Sequence, residues 1–230
     1  MQSTTTQAET GSLRSIGAKA IMAVTGAGLT LFVIGHMVGN LQLFLGPEAI
    51  NSYAAKLKGM PELLWIARIG LLVFFVTHIW LGIWLWQRNK VARPTPYVYQ
   101  ATREASLASR TMLYSGIVLL AFVIFHIAHF TLGLVQPDYY DHKDSLGRAD
   151  VYRMMVLGFR VWWVTLAYVV SMLLLGFHLS HGISSLFQSL GLNHPRYTPK
   201  IKQGGFALAM ILMAGNIAMP VAVLLGFVPE

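Results

Sequence analysis

Ile69-Gly-Leu-Leu-Val-Phe-Phe-Val-Thr-His-Ile-Trp-Leu-Gly-Ile-Trp-Leu-Trp-Gln87 runs for nineteen residues without a charge and carries one histidine near its middle. At about 1.5 Å per residue, roughly 20 such residues cross a ~30 Å hydrocarbon core. Uncharged runs of at least that length also cover residues 20–47, 111–137, 161–195 and 203–229. The expectation is an all-α integral membrane bundle of five spanning helices, at about 15–45, 62–87, 110–136, 157–190 and 203–227. A polar N-terminal segment, 1–14, precedes a single transmembrane domain, 15–230.

Composition agrees. Hydrophobic residues make up 55% of the 230 and charged residues only 11%, too apolar a balance for an ordinary soluble domain. The connections are short, so chemistry needing a flavin, a nucleotide or an iron–sulfur cluster is expected on another polypeptide. The chain has no cysteine. That excludes disulfides, thiolate-held metals and the Cys-x-x-Cys-His attachment of c-type haem. Residues 1–12 are polar and include Glu9, unlike a secretory leader.

The net charge is +8, yet its distribution points to topology rather than to nucleic acid. With alternating spans and the N-terminus in the cytoplasm, one side carries Arg14, Lys19, Arg88, Lys90, Arg93, Arg103, Arg110, Arg196, Lys200 and Lys202 against Glu9 and Glu104. On the other side Lys56, Lys58, Arg68, Lys143, Arg148, Arg153 and Arg160 balance Glu48, Glu62, Asp138, Asp141, Asp144, Asp150 and Glu230. The whole excess falls inside, which the positive-inside rule expects. The C-terminus is then outside. Gly46 with Pro47, Pro61, Pro94 with Pro96, Pro137, and Gly191 with Pro195 punctuate the spans. Trp80, Trp84 and Trp86 crowd the inner end of the second as interfacial anchors do.

His36, His78, His126 and His178 stand one to each of the first four spans, and no acidic residue accompanies them there. An ionisable group within the hydrocarbon is costly and marks a functional site by default. Four neutral imidazoles can hold two haems, each iron taking one ligand from each of two helices. Chain direction assigns the pairs. His36 lies about 26 Å past Lys19 and His126 about 24 Å past Arg110 along helices running outward. His78 and His178 lie late in helices running inward. An outer haem between His36 and His126, and an inner haem between His78 and His178, follow. Gly82 and Gly182 each lie four residues past a histidine and share its face, where small residues admit a flat ligand or a neighbouring backbone. Asn40, four past His36, could donate to a haem propionate or a quinone.

His129 and His181 each lie three residues past a proposed ligand, so either member of His126/His129 and of His178/His181 could face an iron. Their plainer role is hydrogen bonding near an interface, and His142 and His194 read as surface groups. Quinone-site candidates at the outer end are Asn40, Gln42, Tyr53, Glu62 and Trp65; at the inner end they are Ser15, Lys19, Trp84 and Arg88. Each also reads as an interface residue.

The segments Ser15-Ile-Gly-Ala-Lys19 with Thr25-Gly26, His36-Met-Val-Gly-Asn40 and Asn51-Ser-Tyr-Ala54 carry a resemblance. So do His78 with Gly82, the ten-residue step from Gly116 to His126, and His178 with Gly182 followed by Gly191. Over nearly its whole length the chain resembles the single-chain di-haem cytochrome b membrane anchors of succinate:quinone oxidoreductases and quinol:fumarate reductases. The resemblance puts the family's ligands on His36, His78, His126 and His178 rather than His129 or His181. It implies two haem b groups and a quinone, menaquinone or ubiquinone. It implies a flavoprotein subunit and an iron–sulfur subunit docked on the cytoplasmic face of a bacterial plasma membrane. The chain itself would be the haem- and quinone-binding subunit, with no residue catalytic for succinate. Some proton-translocating members have a glutamate two residues before the inner-haem ligand on the fourth helix; here Gly176 stands there, which argues against that proton path.

Two rival readings come from the same residues. Another kind of quinone-linked di-haem cytochrome b strings both haems on one helix pair, with ligands 13 or 14 residues apart. His129 to His142 and His181 to His194 have that spacing, but Pro137 and Gly191 interrupt the helices. A metal transporter would use His126 with His129 and His178 with His181 as i, i+3 ligands, yet the spans offer it no carboxylate.

Overall fold

The computed structural model describes residues 2–92 and 107–230, with side chains for 15–92 and 109–230. The Arg14 side chain, Arg93, Pro94, Pro96, Arg103 and Glu104 lie outside these. Among the described residues the chain is helical, without strands. Five helices are long and apolar enough to cross a membrane. They are α1 (Gln2–Asn40), α3 (Pro61–Val91), α5 (Met112–His126, continued by a π-helical turn Ile127–Thr131), α8 (Trp162–Ser189) and α9 (Thr198–Leu224). Shorter helices α2 (Pro47–Lys58), α4 (Leu107–Arg110), α6 (Pro137–Tyr140) and α7 (Val151–Arg160) lie between them.

The surface suits lipid. On α3, Ile66, Ile69, Leu72, Val73, Val76 and Trp80 are all exposed, and only 6% of its spanning window is buried. An apolar face that wide is an aggregation hazard in water, whereas in hydrocarbon the helix keeps its backbone groups paired and exposes only carbon. The interior is organised by α8, which packs along α9 and also against α1 and α5, while α3 leans mainly on α1.

One end of the bundle is capped. After α1, a 3-10 turn (Leu41–Leu45) meets Gly46, whose φ of +96° suits a residue without Cβ, and Pro47 then opens α2. α7 is amphipathic: Tyr152, Met155, Val156 and Phe159 are buried at helical spacing, while Arg153 and Arg160 are exposed. α2 and α7 meet through Asn51, which is 1% exposed. Its Nδ2 donates to Asp150 (3.0 Å) and its Oδ1 accepts the Tyr152 backbone N–H (2.9 Å). Arg148 ties this cap together by bridging Glu48 (2.6 Å) and Asp144 (2.7 Å).

Several boundaries differ from the sequence reading. The third helix ends at Thr131 rather than 136, because the π turn widens the coil and Gly133, at φ +64°, turns the chain back. Tyr140 occupies the space where a Gly133 side chain would stand. The fourth span begins at Trp162 rather than 157. Val161, in extended conformation, separates the cap helix α7 from the membrane helix α8, and the Thr165 hydroxyl bridges the break by donating to the Phe159 carbonyl (2.7 Å). No glycine or proline marks the spot. The fifth helix begins at Thr198, with proline in its first turn.

Candidate functional site: two pairs of intramembrane histidines

The structure brings the four histidines together two by two. The rings of His36 on α1 and His126 on α5 have centroids 5.7 Å apart, and those of His78 on α3 and His178 on α8 lie 6.5 Å apart. The pairs occupy two levels. His78 packs on Thr25 and Gly26 of α1, eleven and ten residues before His36. His178 packs on Ser115 and Gly116 of α5, eleven and ten before His126. Eleven residues of helix span about 16 Å. The His36/His126 pair lies toward the α2/α7 cap and the other pair toward the opposite end.

Hydroxyls on the facing helices meet one ring nitrogen of each histidine in the second pair. When the Thr25 hydroxyl donates to the Ile21 carbonyl (2.9 Å) or the Met22 carbonyl (3.1 Å), its oxygen can accept from His78 Nδ1 at 3.3 Å. Ser115 is placed the same way: when it donates to the Met112 carbonyl (3.1 Å), its oxygen can accept from His178 Nδ1 (3.1 Å). A neutral imidazole protonated at Nδ1 keeps its lone pair on Nε2. This is how a protein orients a metal-binding histidine: a second group holds the other ring N–H. Among the described residues no hydrogen-bond acceptor meets His36, whose ring stacks on Phe32 with centroids 5.2 Å apart.

The donor chemistry and the ring spacing would suit a metal shared by two imidazoles. Nitrogens about 2 Å from a shared metal put coaxial ring centroids roughly 6 Å apart, close to both observed separations. Among the described residues no cluster of three or more histidines or carboxylates could hold a bare ion. Two imidazoles per level are a donor set into which haem, which brings its other ligands with it, would fit. Small residues open the space: a Cβ on Gly26 would stand 3.2 Å from His78 Cε1 and one on Gly116 3.7 Å from His178 Cε1, while Gly35 and Gly182 have nothing within 4 Å of that position. The glycines that touch the rings thus come from the facing helices. A Gly82 Cβ would meet only Met22, at 3.4 Å.

The remaining candidates divide. His129 is 3% exposed and both its nitrogens are engaged, Nδ1 with the Tyr168 hydroxyl (3.1 Å) and Nε2 with Gln136 Oε1 (2.7 Å). His181 is half-buried on α8. Asn40 and Gln42 are half-buried at the cap end, where the Tyr53 hydroxyl fills the space above Gly39. Glu62 and Trp65 are exposed there, with Arg68 over the Trp65 ring at 5.1 Å. At the opposite end Ser15 is half-buried, Lys19 is exposed, and Arg88 lies over the Trp84 ring at 5.2 Å.

Sequence reasoning missed Thr25 and Ser115 as partners of the rings, and missed Tyr168 and Gln136 altogether. A signal was present. Thr25-Gly26 and Ser115-Gly116 each precede a histidine with nine residues between, so two helices repeat hydroxyl-glycine-x9-histidine. Comparison of this chain with models of known protein families, with characterised proteins and with solved structures finds no match.

Proposed function

We propose that this chain is the membrane anchor and electron-transfer subunit of a succinate dehydrogenase-type complex, carrying two b haems between a cytoplasmic iron–sulfur subunit and membrane quinone. One observation carries the reading: four intramembrane imidazoles pair at two levels with ring centroids 5.7 and 6.5 Å apart, and hydroxyls leave Nε2 as the donor on the second pair. The family resemblance in the sequence supports the identity of the complex. Haem, when bound, supplies one-electron redox chemistry at iron.

The chain's own residues do the rest. His36 with His126 would hold the outer haem and His78 with His178 the inner one. Thr25 and Ser115 would orient the inner ligands. The basic ends, Lys19, Arg88 to Arg110 and Arg196 to Lys202, would face the cytoplasm of a bacterial inner membrane and receive the flavoprotein and iron–sulfur subunits. Menaquinone or ubiquinone would meet one of the two ends, where the polar candidates stand.

The test is spectral. His78→Ala and His178→Ala should each abolish the same b-type component in a reduced-minus-oxidised spectrum and leave the other largely intact. Loss of one and the same component in His36→Ala and His78→Ala would refute the pairing.

A further inference from the structure

A continuous hydrogen-bonded row joins the cap to His126: Gln136, His129, Tyr168, His126. Gln136 Oε1 can only accept, so His129 Nε2 carries the proton in their 2.7 Å contact. Neutral His129 therefore accepts at Nδ1, and the Tyr168 O–H donates to it across 3.1 Å. That uses the one proton of the phenol. Its oxygen is left to accept from His126 Nδ1, also at 3.1 Å. The row thus places the His126 proton on Nδ1 and leaves the Nε2 lone pair for the space it shares with His36.

The surroundings hold the row in register. Tyr168 is buried, wedged between Phe122 and Phe159 with centroids 5.0 and 4.9 Å away. His129 stacks on Phe130 at 3.9 Å. Gly158 on α7 makes room, since a Cβ there would stand 3.1 Å from His129 Nε2 and 3.2 Å from Gln136 Oε1. The π turn that carries His129 directly follows His126, and such turns gather at functional sites.

We propose that Tyr168 and His129 are positioning residues that set the tautomer and donor strength of His126, and through it tune the outer haem alone. The inference rests on the functional reading above. A hydrogen bond accepted from the far ring nitrogen makes an imidazole a stronger donor, which favours the oxidised metal. Removing the acceptor should raise the potential of the outer haem.

Purified full-length protein carrying Tyr168→Phe, which keeps the aromatic packing, should be titrated potentiometrically and its oxidised low-spin EPR signals recorded. The expected result is a positive shift, with altered g-values, confined to the component that His36→Ala removes. Gln136→Met, nearer the surface, should move the same component in the same direction by less, and it decides the matter if Tyr168→Phe fails to assemble. Unmoved potentials, or equal shifts in both components, would overturn the proposal. A wild-type chain without haem would instead overturn the functional reading itself.

Discussion

A serine hydroxyl has one proton, and when at Ser115 it goes to the Met112 carbonyl the oxygen becomes an acceptor for His178 Nδ1, each contact being 3.1 Å. The prediction at this scale is that Ser115→Ala weakens retention of the inner haem, by roughly 10–100-fold in affinity if it behaves as outer-shell partners of metal ligands do, and leaves the outer haem in place. Haem content of the variant after dilution or competition with apomyoglobin reads this directly; equal loss at both levels would contradict it. The histidines themselves were legible in the sequence because an imidazole in hydrocarbon is conspicuous and chain direction gives its depth. Their partners were not. A hydroxyl on a spanning helix bonds its own backbone wherever it lies, so only the repeated spacing of Thr25-Gly26 and Ser115-Gly116 set these two apart.

The cap shows how short elements tie one end of the bundle together. Arg148 joins the end of the acidic connection to α2 through Glu48 and Asp144. Its hydrogen bond to Glu48, foremost, holds that carboxyl below the usual range despite some desolvation. Asp144 is pushed up by desolvation, but hydrogen bonds from the Arg148 side chain and from the backbone N–H groups of Arg148 and Leu146 together outweigh this, and it too is lowered. A carboxylate with a depressed folded-state pKa stabilises the fold above its unfolded pKa and loses that contribution as pH falls through the folded value. Thermal melts of the detergent-solubilised chain should therefore drop as pH is taken below the ordinary carboxylate range. Arg148→Met should flatten that dependence, and an unchanged slope would show the network to be inconsequential. Hydropathy revealed five spans but joined the last residues of α7 to α8 and missed α7 as a helix of its own, because the break at Val161 has neither glycine nor proline. The early end of the third helix depended on Tyr140 packing over Gly133, a contact no local pattern records. Packing also bears on Gly176: a Cβ there would stand 2.7 Å from Met213 Sδ and 3.1 Å from its Cβ, so α8 and α9 meet closely at this glycine.

For the whole molecule, charge and histidine depth point the same way. The basic residues Lys19, Lys90, Lys200 and Lys202 lie at the end of the bundle nearer the His78/His178 pair, while the acidic and ion-paired cap lies nearer His36/His126. If the catalytic subunits dock on the basic end, charge reversal at Lys19, Lys90, Lys200 and Lys202 together should weaken assembly in a salt-sensitive way, since exposed charges are screened beyond ~8 Å at physiological ionic strength. Crosslinks from the iron–sulfur subunit to Asp138, Asp141 or Asp144 would reverse the proposed electron path. The central claim is narrower than the complex and can be tested on this chain alone, by a pyridine haemochrome assay on the purified protein with haem counted against polypeptide. Two b-type haems per chain is the predicted result, and one haem or none would contradict the account.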